Sequence, residues 1–193
     1  MPISVLDPKT ALLVVDLQKG IVGLPTVHPI DSVVRNSVAL LDSFRARKLP
    51  VVLINVDGVP PGRAEQSRAP RDFPAGWADL IPELNRQPTD HVVTKRTRGA
   101  FTNTDLEKYL RDNSVTQVVI TGVATGAGVE STARHAHELG FNVALAIDAM
   151  TDMDADIHHN SVTRIFPKMA ETGTTQQVLD LLHATPHGDK RSA

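Results

Sequence analysis

The chain has 193 residues, of which 41% are hydrophobic and 22% charged, and its formal net charge at pH 7 is −2. This length suffices for a sizeable core, and the balanced charge gives no electrostatic case for binding nucleic acid or an anionic membrane. The sequence contains no cysteine, which excludes disulfides, cysteine-ligated zinc and a thiol nucleophile.

Five short apolar runs, rich in valine, isoleucine and leucine, are predicted to be strands. In chain order they span residues 11–15, 51–55, 91–94, 117–121 and 142–147. None alternates apolar with polar residues, which indicates strands covered on both faces. Helical spacing predicts helices within 33–44, around 106–110, after the glycine-rich stretch at 121–128, at about 154–165 and at 178–182. The alternation of strands and helices predicts an α/β fold with a parallel sheet.

No internal repeat or linker divides the chain, so we expect a single domain over residues 1–185 and a flexible tail over 186–193. No apolar run approaches the roughly 18 residues that a membrane span needs. The N-terminus also lacks the basic-then-apolar pattern of a secretory signal. We therefore expect no membrane partner and a cytoplasmic location.

Residues 57–88 interrupt the alternation with six of the 13 prolines and the only tryptophan, Trp77. A loop of this length in a compact domain is usually functional or disordered. Its arginines, Arg63, Arg68 and Arg71, are candidates for binding an anionic ligand. Solvated charges on a surface loop are an equally good interpretation of each one.

The residues that follow the strands are candidates for a site, because ligands bind beyond the carboxyl ends of strands in open parallel sheets. Asp16 follows the first strand, Lys95 follows the third, and the glycine turn (residues 122–128) follows the fourth. A carboxylate, an ammonium group and free backbone N–H groups suit acid/base chemistry with oxyanion stabilisation. Alone, each has a structural interpretation, and for Asp148 after the fifth strand we favour a turn cap. Together, the first three favour a site.

The histidines are not spaced as metal ligands. His135 and His137 are two residues apart on a predicted helix, and His158 and His159 are adjacent. Neither pair has the spacing of a helical metal pair. We interpret the histidines as solvated or core residues, and we predict no metal ion and no cofactor.

Three segments, LLVVDLQKGI, VVTKRTRGAFTNTDLEKYLR and VVITGVATGAGVESTARHAHELGFNVALAIDAM, occur in this order along the chain. Together they resemble the isochorismatase-like hydrolase superfamily over nearly the whole sequence. The resemblance implies a three-layer α/β/α sandwich with a Rossmann-like parallel sheet of about six strands. It also implies a hydrolase that acts on a small molecule and forms a homo-oligomer, a dimer or larger.

Many members of this superfamily hydrolyse amide-type C–N bonds with an Asp–Lys–Cys triad. By resemblance Asp16 and Lys95 take the first two places, and the cysteine position falls at Gly128. Glycine cannot attack a carbonyl and the chain has no cysteine, so the cysteine mechanism is ruled out. The resemblance further implies a cis peptide bond between Val123 and Ala124.

True isochorismatases, which cleave a vinyl ether, also resemble this chain in having glycine at that position. The resemblance then implies that Asp16 protonates the substrate, that Lys95 orients Asp16, and that water is the nucleophile. The substrate is expected to be a small anion of the isochorismate type. The residues expected to bind it are Gln18, Ala124, Thr125, Arg63, Arg71, Trp77 and Phe101.

Two alternatives stay open. In the first alternative, the chain is a degenerate enzyme that only binds a small ligand. In the second, it is an amide or ester hydrolase in which Asp16 activates water. The protonation state of Asp16 is also open, because a neighbouring lysine lowers the pKa of a carboxyl group whereas burial raises it.

Overall fold

The computed structural model describes residues 2–65 and 73–184. Within these ranges, six parallel strands form one sheet in the order β3-β2-β1-β4-β5-β6. The strands are β1 (Thr10–Val15), β2 (Val51–Val56), β3 (His91–Lys95), β4 (Gln117–Val123), β5 (Asn142–Thr151) and β6 (Glu171–Gly173). The strand order reverses between β1 and β4, which is where open α/β sheets bind their ligands.

Six α-helices lie between and after the strands of the described ranges. They are α1 (Lys19–Val22), α2 (Ile30–Ala46), α3 (Leu106–Asp112), α4 (Glu130–Glu138), α5 (Ala155–Asn160) and α6 (Thr175–Ala184). The helix predicted over 154–165 is α-helical only as far as Asn160 and continues as a π-helical turn, Ser161–Ile165. No helix in this part of the chain is long and apolar enough to cross a membrane.

The strands bury side chains on both faces of the sheet. Leu12 and Val14 of β1 pack in the cluster that contains the apolar residues of α2 and α6. Leu13 and Val15 pack on the opposite face, with the apolar residues of α3 and α4. Coverage on both faces explains why the strands lack polar alternation. The predicted α/β/α sandwich is confirmed.

The fifth strand is longer than the sequence predicts. It continues to Thr151, and its register against β4 shifts so that Ile120 pairs with Leu145 but Gly122 pairs with Met150. Asp148 therefore lies within β5 and does not follow it. Its carboxylate accepts hydrogen bonds from the Thr175 N–H and hydroxyl at 2.6 and 2.8 Å, so it caps the start of α6.

The described part of the long loop returns to the end of β1. The Ile81 N–H donates to the Leu17 carbonyl at 3.2 Å, and the Gly20 N–H donates to the Trp77 carbonyl at 2.9 Å. A 3₁₀ turn, Pro82–Leu84, then leads towards β3. These bonds fix the loop beside Asp16. The predicted flexible tail, 186–193, lies outside the described residues.

Candidate active site

Asp16 is the first residue after β1, at the point where the strand order reverses. Its backbone is in the left-handed region, with φ of 53°, which residues other than glycine adopt rarely. Its N–H donates to the Ile54 carbonyl at 2.8 Å, so the backbone is held against the end of β2. The residue is only 5% exposed, so its carboxyl group is removed from bulk water.

Lys95 reaches Asp16 from the end of β3, two strands away. Its Nζ donates to Asp16 Oδ2 at 2.8 Å and to the Thr97 carbonyl at 3.3 Å. The lysine is 2% exposed, so this is a buried ion pair. Asp16 Oδ1, also buried, makes no hydrogen bond with any of the described residues. One carboxyl oxygen is thus held and the other is without a partner.

Burial raises the pKa of Asp16 from its ordinary value of 3.8 to about 6. The charge of Lys95 and its hydrogen bond act in the opposite direction, but they do not outweigh the loss of hydration. The balance left open by the sequence therefore favours the protonated form more than in an ordinary aspartate.

The glycine turn brings the third predicted catalytic position next to Asp16. Gly122 has φ of 115°, and a side chain there would overlap the backbone of Val15, so only glycine fits. At Gly128, an added Cβ would lie 3.0 Å from Asp16 Oδ2 and 3.0 Å from Val15 Cγ1. Position 128, Asp16 and Lys95 are therefore contiguous. The peptide bond between Val123 and Ala124 is cis, as the resemblance implies.

The second half of the glycine turn is part of a π-helical turn, Thr125–Val129, that leads into α4. The Thr132 hydroxyl donates to the Gly128 carbonyl at 2.7 Å and accepts from the Ala100 N–H at 3.2 Å. The carbonyl of Ala124 accepts hydrogen bonds from two N–H groups further along the turn, both at 3.1 Å. The backbone next to Asp16 is thus fixed by bonds on both sides of Gly128.

Gln18, predicted to bind substrate, has its side-chain amide bonded to the backbone. Its Oε1 accepts from the Val56 N–H at 2.7 Å, and its Nε2 donates to the carbonyls of Val56 and Trp77 at 3.0 and 3.2 Å. The side chain therefore joins the end of β2 to the long loop. A contact between Gln18 and substrate stays a prediction.

Trp77 lies at the same edge of the site. Its half-buried indole packs on Gly20, where an added side chain would overlap the ring, and stacks on Phe73 with ring centroids 4.0 Å apart. The Trp77 backbone is bonded to Gln18 and Gly20, two and four residues after Asp16. A role for Trp77 at the site stays a prediction that this position supports.

The remaining predicted binding residues are placed differently. Phe101 is buried among core residues, and its ring centroid is 5.2 Å from that of His135 and 6.3 Å from that of Phe141. Arg63 is exposed on the long loop, whereas Arg71 lies outside the described residues. Contacts of these three residues with substrate stay predictions.

Three residues that the sequence analysis did not select lie on the β5 side of the glycine turn. Asp152, buried directly after β5, accepts from the Gly126 N–H at 2.8 Å. His158 of α5 contacts the Thr125 hydroxyl at 2.8 Å through Nδ1, and its ring lies against that of His28. Asp152 was missed because β5 was predicted to end at residue 147. No sequence signal links the two histidines, since they are 130 residues apart in number.

None of the predicted site residues within the described ranges lines either of two cavities of about 400 and about 310 Å³. The larger lies between α2 and the loop before β3, and the smaller lies near the start of β5. The buried ion pair has the more specific chemistry, so we place the candidate site at Asp16. Among the described residues, no group of three or more histidine, aspartate or glutamate side chains is arranged to hold a metal ion.

The fold is an α/β/α sandwich with a buried ion pair, Asp16–Lys95, at the switch point of its parallel sheet. The Isochorismatase domain matches residues 10–177. The chain therefore belongs to the isochorismatase family, and its class is hydrolase.

Similar proteins agree with this assignment along almost the full length. The chain is 38% identical over 182 residues to the uncharacterized isochorismatase family protein YwoC of Bacillus subtilis, covering 89% of this chain and 93% of the relative. It is 40% identical over 184 residues to the corresponding protein YecD of Escherichia coli O157:H7, covering 90% and 96%. The structure of an isochorismatase family protein from Burkholderia thailandensis superposes with a TM-score of 0.88 at 39% identity, covering 93% of this chain and 98% of that one.

Proposed function

We propose that this hydrolase cleaves the vinyl ether of a small anionic substrate of the isochorismate type, with Asp16 as general acid and water as nucleophile. One observation carries the proposal. Asp16 is buried with its pKa raised to about 6, and its Oδ1 has no hydrogen-bond partner in the described part of the chain while Lys95 holds Oδ2. A proton on Oδ1 is therefore free to be donated.

The reaction follows from these positions. The O–H of Asp16 protonates the methylene carbon of the enol ether, so that the π electrons form the new C–H bond and leave an oxocarbenium-like cation. The carboxylate just formed lies beside this cation and stabilises it. Water adds to the cationic carbon and returns a proton to Asp16. The resulting hemiketal breaks its C–O bond to give pyruvate and an alcohol.

The absence of a side chain at Gly128 affects the surroundings of Asp16. A Cβ at this position would approach Asp16 Oδ2 and Val15 Cγ1 to 3.0 Å, so any side chain would crowd the acid. The backbone of this turn also leads into α4, and the N-terminus of a helix favours an anionic group. Glycine at position 128 therefore keeps a Cβ out of close contact with Asp16 Oδ2 and Val15 Cγ1.

Substrate binding has to uncover the acid, because Asp16 and Lys95 are 5% and 2% exposed. The loop that carries Trp77 is the element bonded to the chain directly after Asp16, through Gln18 and Gly20. We propose that this loop is the part of the described chain that adjusts when substrate enters. Movement of such loops commonly accompanies substrate binding.

Pyruvate release from isochorismate by wild type and Asp16→Asn tests the function. General acid catalysis contributes about 100- to 10,000-fold, so the variant should lose activity by a factor in this range. Asp112→Asn is the matched control, because Asp112 is an exposed aspartate with a surface ion pair to Lys108 of the same helix, and it should keep the wild-type rate. Equal rates for wild type and Asp16→Asn would remove Asp16 from the mechanism.

Measurements of thermal stability and of product release also separate the two alternative functions. A degenerate binding protein should be stabilised against heat by isochorismate without releasing pyruvate. An amide or ester hydrolase should leave isochorismate intact and release product from an amide or ester in a reaction that Asp16→Asn abolishes.

A further inference from the structure

A pair of histidines on the β5 side of the glycine turn is not used by the proposed reaction. His158 Nδ1 is 2.8 Å from the hydroxyl oxygen of Thr125, and His28 Nδ1 is 3.1 Å from that of Thr151. The two rings meet edge to face, with centroids 4.6 Å apart. Both threonines are fully buried, at the ends of the adjacent strands β4 and β5. Each buried hydroxyl is thus held by one histidine of the pair.

Thr125 is the only residue of the glycine turn, GVATGAG, whose side chain has a polar atom. With glycine at position 128, hydrogen bonding by a side chain of this turn can come only from the Thr125 hydroxyl. That hydroxyl has one proton to donate. Whether the proton is directed at His158 or elsewhere depends on the state of Nδ1.

We propose that His158 is a positioning residue that sets whether the Thr125 hydroxyl acts as a donor or an acceptor towards substrate. If Nδ1 is unprotonated, it accepts the Thr125 proton, and the hydroxyl oxygen offers only lone pairs to other groups. If Nδ1 carries a proton, it donates to the hydroxyl, whose own proton can then bind an anionic oxygen. This inference rests on the proposed function in one respect, that the glycine turn is a wall of the substrate site.

The surroundings of His158 favour the neutral ring. Burial lowers its pKa below the ordinary value of 6.5, and the neighbouring His28 and His159 lower it further. The buried carboxylate of Asp152, at the end of β5, acts in the opposite direction. Because the folded pKa is lowered, the ring is neutral at pH 7 and carries a single N–H, which has to lie on Nδ1 for the Thr125 hydroxyl to donate to an anionic substrate.

Kinetics on isochorismate test the link between the two residues. Thr125→Val and His158→Ala should each raise KM about five- to tenfold, as expected for one lost hydrogen bond, with a smaller change in kcat. The double variant should be no worse than Thr125→Val alone, because the histidine acts through the hydroxyl. His158→Asn, which keeps a polar group near the place of Nδ1, should recover most of the lost affinity and should not titrate.

His159→Ala is the matched control, since His159 is the adjacent residue of the same helix and is exposed. It should keep the wild-type KM. An effect of His159→Ala equal to that of His158→Ala, or losses that multiply in the double variant, would overturn the proposal. Circular dichroism and thermal unfolding of each variant identify loss of the fold as a separate cause.

Ring-nitrogen NMR of histidine-labelled protein decides the link without any substrate. The Nδ1 signal of His158 should shift between wild type and Thr125→Val, whereas that of His159 should not. An unchanged His158 signal would overturn the proposal even if the enzyme is active on isochorismate. Absence of pyruvate from wild type, together with a shifted His158 signal, would contradict the proposed function and leave the Thr125–His158 link established.

Discussion

Asp16 combines two features that rarely occur together, a close lysine and a raised pKa. Its charge is stabilised by Lys95 at 2.8 Å, but the loss of hydration on burial is larger and raises the pKa to about 6. At pH 7 a larger fraction of the molecules then carries the proton on Asp16 than on an ordinary aspartate. A raised pKa of this kind is what the proposed role of Asp16 as general acid requires.

Gly128→Ala should damage both the fold and the site. The added Cβ would approach Asp16 Oδ2 and Val15 Cγ1 to 3.0 Å, closer than ordinary van der Waals contact. We expect a loss of about 1–3 kcal/mol in the free energy of unfolding, measured by urea denaturation, because crowding a packed site costs this much. We also expect kcat/KM for isochorismate to fall at least about tenfold, which corresponds to about 1.4 kcal/mol in the transition state.

Gly62→Ala is the control for this prediction, because a Cβ there would meet no heavy atom of the described residues within 4 Å. It should leave both kcat/KM and stability close to wild type. If Gly128→Ala kept the wild-type rate as well, the space beside Asp16 would not be needed for the reaction.

The glycine turn takes its position from three other elements. Asp152 at the end of β5 binds the Gly126 N–H, Thr132 of α4 binds the Gly128 carbonyl, and His158 of α5 contacts the Thr125 hydroxyl. Asp152 also accepts from the N–H of the residue that follows it, at 2.8 Å, so its own carboxylate is fixed. The wall beside Asp16 is thus held by side chains outside the turn, and its geometry depends on where β5 and α5 lie.

The position of the long loop can be followed by the fluorescence of Trp77, because Trp77 is the only tryptophan in the sequence. Gly20→Ala should displace the indole, because an added Cβ would overlap the ring. We expect Trp77 fluorescence to shift to longer wavelength as the ring becomes more exposed. We also expect KM for isochorismate to rise about threefold or more, as when part of one buried contact is lost.

Gly23→Ala is the matched control in the same short segment. Its added Cβ would meet only the Lys19 carbonyl, at 3.9 Å, which is an ordinary contact. Fluorescence and KM should then match wild type. A shifted KM with unchanged fluorescence in Gly20→Ala would separate the loop from the position of Trp77 and contradict this role of the ring.

Five of the six strands could be predicted from the sequence because parallel strands covered on both faces have no polar alternation, whereas β6, three residues long, contains no apolar run. The same reasoning placed Asp16, Lys95 and the glycine turn at strand ends, and these three are in contact in the structure. Residues that follow the strands could be predicted to lie together because the carboxyl ends of parallel strands meet at one edge of the sheet.

The rest of the site depended on tertiary structure. Asp152 could not be predicted because a register shift lets β5 continue past Asp148, a charged residue that is typical of a strand end. The contact between His28 and His158 joins a loop before α2 to α5, and neither local spacing nor composition predicts this contact. The raised pKa of Asp16 could not be predicted because it depends on burial by elements that are distant in sequence. The sequence indicates only Lys95, which lowers this pKa.

The pH dependence of kcat/KM for isochorismate, followed by pyruvate release, tests Asp16 as the acid most directly. This parameter reports ionisation of the free enzyme. A raised pKa means that the proton is present below about pH 6 and is lost above it. We therefore predict that kcat/KM is highest below about pH 6 and falls about tenfold for each pH unit above it, and that this fall is absent from the residual rate of Asp16→Asn. A kcat/KM that rises through pH 6 would show Asp16 acting as a base, and would contradict the proposed mechanism.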